Sequence, residues 1–351
     1  MGDLKARQQK VAILYQAGPT PSQGGIRKPP KPGGYRDSGA DIAYALKIRG
    51  VVVLTPHPDP DPATDQDWVF GDDAPGIRAA LDAGATMLWA NTTLYQGHPL
   101  ALYRGVVGVV GPNIAMVDQF EDKWVMNQWL HSHQFPVPEM WKGSEIGSRL
   151  FDKPLVLKPR RGRGSQGVRR LEHRRDLQDG TATDEDTTFR SETFVVEEFL
   201  PGEEVTVTTM PPGYYVLDGM GTSVQHSWAL PPIMRRDHQN GIMPYSGEVP
   251  VIDNSLVAHS SSPELEMFVN VCQGLARQLL SRAWLRIDGR QDEQGTYRII
   301  DVNFKPNLTG PGRPGRDHAV SLVAMAAAAC GWQYGDLVAN LLQSQDWMSP
   351  F

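Results

Sequence analysis

Short, unbroken apolar runs alternate along the first third of the chain with segments of helical period. Lys10–Tyr15 is a β-type run, 51–54 is a second, and 86–89 and 106–110 continue the series. Between them, 37–49 predicts a helix with Ile42, Ala45 and Leu46 on one face, and 77–83 predicts another. Apolar strands that do not alternate with polar residues are covered on both faces, so strand–helix–strand order predicts a parallel sheet between helices. That organisation ends near residue 112. Beyond it, 118–133 predicts one helix on Val117, Phe120 and Trp124, stopped by Pro136 and Pro138. Strands are predicted at 155–158, 168–171, 193–200 and 205–210, the last two around a turn at Pro201-Gly202, with 176–191 as a polar surface segment. The longest amphipathic helix is predicted over 264–282. Its stripe is Leu265, Phe268, Val269, Cys272, Leu275, Ala276 and Leu279, and Ser262-Pro263 supplies a cap and a first-turn proline.

Composition narrows the class. The chain has 351 residues, enough for two or three domains with their own cores. Cys272 and Cys330 are its two cysteines, too few for a disulfide framework, and neither sits in a zinc-ligand spacing. With 34 Lys+Arg against 40 Asp+Glu, the formal charge of −6 argues against a general nucleic-acid coat. The longest apolar run, 322–330, is far short of the ~20 residues a membrane span needs. The segment 1–5 lacks the apolar core of a secretion signal, and Ala6 breaks a myristoylation pattern, so a cytoplasmic protein is expected. The 35 Gly and 28 Pro are not spread evenly: they concentrate in 18–34 and 306–315, with three glycines at 162–167.

Three groups of residues could carry chemistry. The hairpin at 284–303 (WLRIDGRQDEQGTYRIIDVN) is the strongest. With 292–295 as its turn and Gln291 opposite Thr296, Arg286 faces Asp301, and Asp288 lies one diagonal step from Asp301. Strand alternation then places Arg286, Asp288, Asp301 and Asn303 on one face. Two carboxylates, an amide oxygen and a cation suit Mg²⁺, which takes few protein oxygens; the same face also reads as a solvated one. Gly162-Arg163-Gly164-Ser165-Gln166-Gly167 matches G-x-G-x-x-G, but the residues after it, 168–173, have no apolar stripe. The loop fits a flap between two strands, over phosphates or simply as a tight hairpin, better than a dinucleotide fold. The surrounding arginines (Arg160, Arg161, Arg163, Arg169, Arg170, Arg174, Arg175) could form a nucleic-acid patch, though no aromatics interleave them. Lys123 and Lys158 stand in apolar surroundings where a phosphate would partner them. Glu197 and Glu204 flank the Pro201-Gly202 turn, where carboxylates can accept from an adenine amino group or ribose hydroxyls or be ordinary surface glutamates.

Taken together and in order, these elements resemble the ATP-grasp superfamily, in particular its D-alanine–D-alanine ligase-like branch. Gly111-Pro112-Asn113 with Asp122-Lys123, the run Pro154 to Pro159 with the 162–167 loop, Val196 to Glu204, Arg286-Ile287-Asp288, and Asp301 to Pro306 carry the resemblance, from about 111 to 341. It implies an α/β protein: an N-terminal Rossmann-like parallel-sheet domain (1–112), then two α+β subdomains (113–200 and 201–351) clasping ATP. It implies a carboxylate–amine ligase working through an acyl phosphate, with ATP and Mg²⁺ (Mn²⁺ as a substitute) as cofactors. Small-molecule carboxylate and amine substrates and a homodimer are implied too, with no nucleic acid and no membrane. Residue by residue, Lys123 and Lys158 would contact the α/β phosphates, and Gly164, Ser165, Gln166 and Gly167 would cover the β/γ phosphates. Glu197, Glu198 and Leu200 would read adenine and Glu204 ribose; Asp288, Asp301 and Asn303 would hold the metal. Arg286 would neutralise the acyl phosphate, and Ser321 and Leu322 would receive the incoming substrate's carboxylate.

The departures from the branch concern the substrates. Asp301 stands where Glu is usual, and Asn307 where Gly is common. Residues 16–34 have no Glu to clamp a first substrate's amine, and the lid's usual Lys-Tyr is absent between 231 and 248, leaving Arg235, Arg236 or His238 as substitutes. The segment 310–318 reads as an insertion adding Arg313 and Arg316, expected at the substrate. An acid other than D-alanine in specialised metabolism is the expected substrate. A non-catalytic ATP-binding scaffold and a nicotinamide-dinucleotide enzyme are the alternatives.

Overall fold

The computed structural model describes residues 9–146, 152–172, 176, 191–244, 249–258 and 262–348. Arg174, Arg175, most of the polar stretch 176–191, and the end of the 231–248 segment lie outside the described residues.

Four parallel strands run in the order Val52–Leu54, Lys10–Tyr15, Met87–Asn91, Gly108–Val110, with Phe70–Gly71 pairing the end of Lys10–Tyr15. The absence of polar alternation in the first strand has a direct cause. Val11 and Ile13 enter one core with Ile42, Leu46 and Leu337, while Ala12 and Leu14 enter the other with Ile77, Ala80 and Leu100. Successive side chains point to opposite faces, and here both faces are dry.

A second, antiparallel sheet runs Met140–Lys142, Phe194–Glu198, Leu155–Pro159, Arg169–Leu171. The third is antiparallel as well: Ser255–Val257, Ile233–Arg235, Glu204–Met210, Leu285–Gln291, Tyr297–Asn303, with Trp228–Ala229 also against Glu204–Met210. Helix Pro263–Gln278 packs beneath it through Leu265, Phe268, Cys272, Leu275 and Ala276, with Ser262 Oγ accepting the Leu265 N–H at its start. Gly289 has to be glycine there, since a Cβ would lie 2.1 Å from Phe268 Cζ.

Four expectations change. The helix over 118–133 is two helices, Ile114–Phe120 and Lys123–Ser132, because the Asp122 carboxylate accepts the Trp124 N–H and starts a new turn. The helix predicted to reach 282 ends at Gln278; Leu280 takes φ +50° and turns the chain away. The strands flanking Pro201-Gly202 lie in different sheets, so this is a connection between sheets, held by the Gly202 N–H donating to the Gln291 carbonyl at 3.0 Å. The fourth concerns the hairpin. Its loop spans 292–296, so Gln291 pairs with Tyr297, and the register shifts between Asp288 and Gly289 so that Asp288 faces Asp301 and Arg286 faces Asn303. With the five-residue loop alone, Asp301 would point into the core. The extra residue, Ile300, turns Asp301 back to the same face as Asp288, as a β-bulge does.

Among the described residues, no helix is long and apolar enough to cross a membrane, and both cysteines are free.

Candidate active site

The two larger antiparallel sheets, with the end of the 18–34 loop, Tyr35 and Asp37, border a cleft of about 550 Å³. Its floor is the bulged hairpin, one wall is the strand pair Leu155–Pro159 and Phe194–Glu198, and the loop at 162–165 borders it. Cations meet carboxylates on this floor and wall in adjacent pairs. Lys123, in the first turn of its helix, donates to Asp301 Oδ1 at 2.5 Å. Arg286 donates through Nε and Nη2 to Asp288 at 3.1 and 2.9 Å; Thr206 Oγ1 and Asn303 Nδ2 also donate to Asp288, at 2.8 and 3.1 Å. Lys158, 8% exposed, forms an ion pair with Glu197, 2% exposed, and donates to the Ile300 carbonyl at 3.4 Å.

These contacts set the charges. Burial alone would raise the Asp301 carboxyl, but the Lys123 ammonium, with Lys158 and Arg286, holds it below the ordinary carboxylate range. Glu197 goes the other way: burial pushes it up despite Lys158. Glu204 is half-buried, and although desolvation pushes it up, the hydrogen bond from His238 at 2.9 Å, with Arg290 and Arg235 nearby, keeps it low.

Of the residues predicted from sequence, Lys123, Lys158, Gly164, Ser165, Glu197, Glu198, Leu200, Glu204, Arg286, Asp288, Asp301, Asn303, Arg316, Ser321 and Leu322 all line this cleft. Gln166 and Gly167 do not; they complete the turn, with the Gln166 N–H on the Arg163 carbonyl at 3.2 Å. Ser321 is occupied as a helix cap, its Oγ accepting the Ala324 N–H. Arg313 departs most from expectation. It is 2% exposed, lies away from the cleft, and donates to Asp41 at 2.9 Å, Asp65 at 2.6 Å and the Pro62 carbonyl at 2.8 Å, fastening the 310–318 segment to the N-terminal sheet's helix. Arg316 shares Asp41 through a two-nitrogen contact while still reaching the cleft. Of the lid candidates, Arg235 lines the cleft, His238 is held by Glu204, and Arg236 lies at the surface beside Asp237.

Sequence reasoning missed Lys28, Lys31, Tyr35, Asp37 and Lys305, all of which line the cleft. The signal available was the basic spacing Arg27-Lys28-Pro-Pro-Lys31 inside the Gly/Pro loop.

Among the described residues no group of three or more His, Cys, Asp or Glu forms a metal cluster. Asp288, Asp301 and Asn303 nevertheless fit a hard divalent cation of the Mg²⁺ type. Two carboxylates stand opposite each other across the bulge, and the Asn303 amide nitrogen faces Asp288, leaving its oxygen for another partner.

This is the ATP-grasp fold: an ATP-grasp domain family matches residues 120–218, spanning the second sheet, the glycine loop and the connection to the third. The chain is similar to a D-alanine–D-alanine ligase of Chromohalobacter salexigens, 26% identical over 230 residues, 64% of each chain, and to one of Marinomonas sp., 28% identical over 54% of this chain and 53% of that one. The match thus spans just under two thirds of the first relative's length. Among solved structures, the D-alanine–D-alanine ligase of Bacillus anthracis complexed with ATP superposes with a TM-score of 0.63 at 16% identity, covering 96% of this chain and 97% of that one. N5-carboxyaminoimidazole ribonucleotide synthetase of Thermotoga maritima superposes with a TM-score of 0.57 at 15% identity, over 96% of this chain and 76% of that one.

Proposed function

We propose that the protein is an ATP-dependent carboxylate–amine ligase. A carboxylate oxygen of the acid attacks the γ-phosphorus of ATP, ADP leaves, and an acyl phosphate forms. The amine then attacks the acyl carbon; phosphate leaves with the C–O electrons, the amine gives up a proton, and an amide remains. The observation that carries this reading is the set of cation–carboxylate pairs in one cleft, Lys123–Asp301 and Arg286–Asp288 on the floor and Lys158–Glu197 on the wall, bordered by a glycine loop.

Before ligands arrive, the Lys123 ammonium holds Asp301 below the ordinary carboxylate range. Lys123 exchanges Asp301 for phosphate oxygens and Arg286 turns from Asp288 to the acyl phosphate, which frees Asp301 and Asp288, with Asn303, as oxygen donors to Mg²⁺. When bound, Mg²⁺ supplies charge neutralisation across the phosphate oxygens. The amides of 162–165, with Gly164 and Ser165, cover the terminal phosphates. Glu197, Glu198 and Leu200 receive the adenine, and Glu204, kept ionised by its cationic neighbours, accepts from the ribose hydroxyls. Arg286 faces the charge that builds on the acyl phosphate and then on the tetrahedral oxyanion, a positioned cation of the kind that lowers such barriers most. Ser321 and Leu322 place a helix N-terminus, eight residues long, at the same cleft for an anionic group of the second substrate.

The absence of a clamping Glu in 18–34, and the lysines there instead, support an acid other than D-alanine and a role in specialised metabolism. The test is ADP and phosphate release on a pairwise panel of acids and amines. Coupled release with an amide product supports the reading; nucleotide binding with no coupling to any pair would leave a non-catalytic nucleotide-binding protein instead.

A further inference from the structure

We propose that the acid activated in this cleft carries a second anionic group, a carboxylate or a phosphate, and that Lys28, Lys31 and Lys305 hold it beside the ring of Tyr35. The inference rests on the ligase reading and adds the charge of its substrate.

The loop at 18–34 ends in three consecutive left-handed residues, Gly33, Gly34 and Tyr35, with φ +73°, +58° and +68°. Gly34 is pinned against the first strand: its carbonyl accepts the Gln16 N–H at 2.9 Å, and a Cβ on it would lie 2.1 Å from the Gln16 oxygen. This turn delivers the Tyr35 ring to the cleft, where three cations gather around it. Lys305 Nζ lies 3.3 Å from the ring centroid, Lys31 Nζ 5.1 Å and the Arg163 guanidinium 5.3 Å. Lys28 lines the same end.

The carboxylates here do not match the cations. Glu121 pairs with Lys28, and Asp37 pairs with Lys31 at 2.8 Å while also lying 3.8 Å from Arg316. Arg163 donates to the Pro29 carbonyl at 2.9 Å, and the buried Lys305 ammonium has no hydrogen-bond partner among the described residues. Arg313 and Arg316 are answered by Asp41 and Asp65. Lys28, Lys31, Lys305 and Arg163 therefore outnumber Glu121 and Asp37, and burial with these like-charged neighbours pushes the Lys305 amine well below the ordinary lysine range. Confining an ammonium without a hydrogen-bonding partner among like charges works against folding, and a cation–π contact offsets only part of that. A bound anion relieves it. The nucleotide has its own cations, Lys123, Lys158 and Arg286, on other elements, and the reacting carboxylate faces Arg286. The excess at the Tyr35 end is left for a further negative group, and it repels a substrate ammonium placed there.

Calorimetry on protein loaded with ADP and Mg²⁺ tests this with acetate, alanine, succinate, glutarate, citrate, phosphoglycolate and phosphoserine. At least one multiply charged acid is expected to bind ten-fold or more tighter than acetate or alanine. Preference for succinate, glutarate or citrate assigns the second group as carboxylate, and preference for the phosphoesters assigns it as phosphate. Lys305→Met and Lys31→Met are expected to erase that preference with ATP affinity kept within two-fold, and Lys305→Met to raise the melting temperature of the ligand-free protein, which shows the variant is folded. No preference across the panel, or loss of ATP affinity in Lys305→Met, overturns the proposal; the latter assigns the cluster to the triphosphate. ADP release coupled equally well to singly charged acids overturns it while leaving the ligase reading intact. Tight binding of multiply charged acids with no ADP release for any acid–amine pair overturns the ligase reading and leaves the anion site standing.

Discussion

The two ends of the cleft handle charge in opposite ways. On the hairpin floor and the wall beside it, Lys123, Arg286 and Lys158 each have a carboxylate within ion-pair distance. At the Tyr35 end, positive charge exceeds negative, and Lys305 has only a ring face. A paired floor is stable in the absence of ligand and, on the proposed function, would convert to phosphate and metal binding by exchanging partners. An unmatched cluster is a liability without ligand and gains on binding. The first arrangement suits a cofactor that every member of a fold uses; the second suits a substrate feature particular to one chain.

The largest expected effect breaks the paired end. Asp301→Ala removes a metal-ligand candidate and strands Lys123, and ADP release should fall by about 10³-fold, out of proportion to the modest drop in melting temperature expected from leaving the Lys123 ammonium without its carboxylate. Steady-state ADP assays beside a melting curve check both halves. Retained full activity would detach the floor from catalysis.

Next comes Arg313→Ala, which asks whether the 310–318 segment belongs to the cleft at all. Removing a buried guanidinium leaves Asp41 with Arg316 alone and deprives Asp65 of its partner, so unfolding in urea should show a loss of about 3–5 kcal/mol. Affinity for nucleotide and acid should stay near wild type in the remaining folded protein. A drop in acid affinity at unchanged stability would restore Arg313 to the substrate.

Gly34→Ala tests the Tyr35 end through its backbone. A Cβ at this left-handed position meets the Gln16 carbonyl, and the strain should cost about 2 kcal/mol. Because the turn carries Tyr35, preference for multiply charged acids should weaken in calorimetry while ATP binding is retained.

The contrast between the ends also explains what can be read from the sequence. Lys158, Glu197 and Asp288 are legible because strand alternation and local spacing suffice to place them. Asp301 reaches the correct face in the sequence reading through an incorrect register: a four-residue turn does the work there that the bulge at Ile300 does in the structure, and the bulge leaves no mark in the residue types. The break before Lys123 is signalled by Asp122, a good cap, yet the apolar spacing of Phe120 and Trp124 masks it. Lys305 and Tyr35 are out of reach, since their contact joins residues far apart in sequence through a left-handed tyrosine, a conformation no propensity predicts. Arg313 looks like a substrate ligand because an arginine in a Gly/Pro loop gives no sign of a buried Asp41 on a distant helix.

The smallest effect concerns the turn that holds the paired floor in register. The Asp292 carboxylate accepts the N–H groups of Gln294 and Thr296 at 3.0 and 2.9 Å and the Arg298 guanidinium at 2.8 Å. Partial burial opposes its ionisation, but these donors outweigh that and hold it below the ordinary carboxylate range. A carboxyl lowered on folding adds stability that is fully present above its unfolded pKa and is lost as pH falls through the folded one. Asp292→Asn should therefore lower stability by about 1–2 kcal/mol at pH 7, the scale of hydrogen bonds to a charged group. The wild type's margin should stay level down to about pH 4 and shrink below it. Melting curves from pH 7 to 2 on both proteins measure this directly. A margin that does not change with pH would mean that the turn is held by its backbone bonds, such as the Asp292 N–H to the Thr296 carbonyl at 2.9 Å, rather than by the charge. The paired floor would then keep its register independently of the ionisation of its turn.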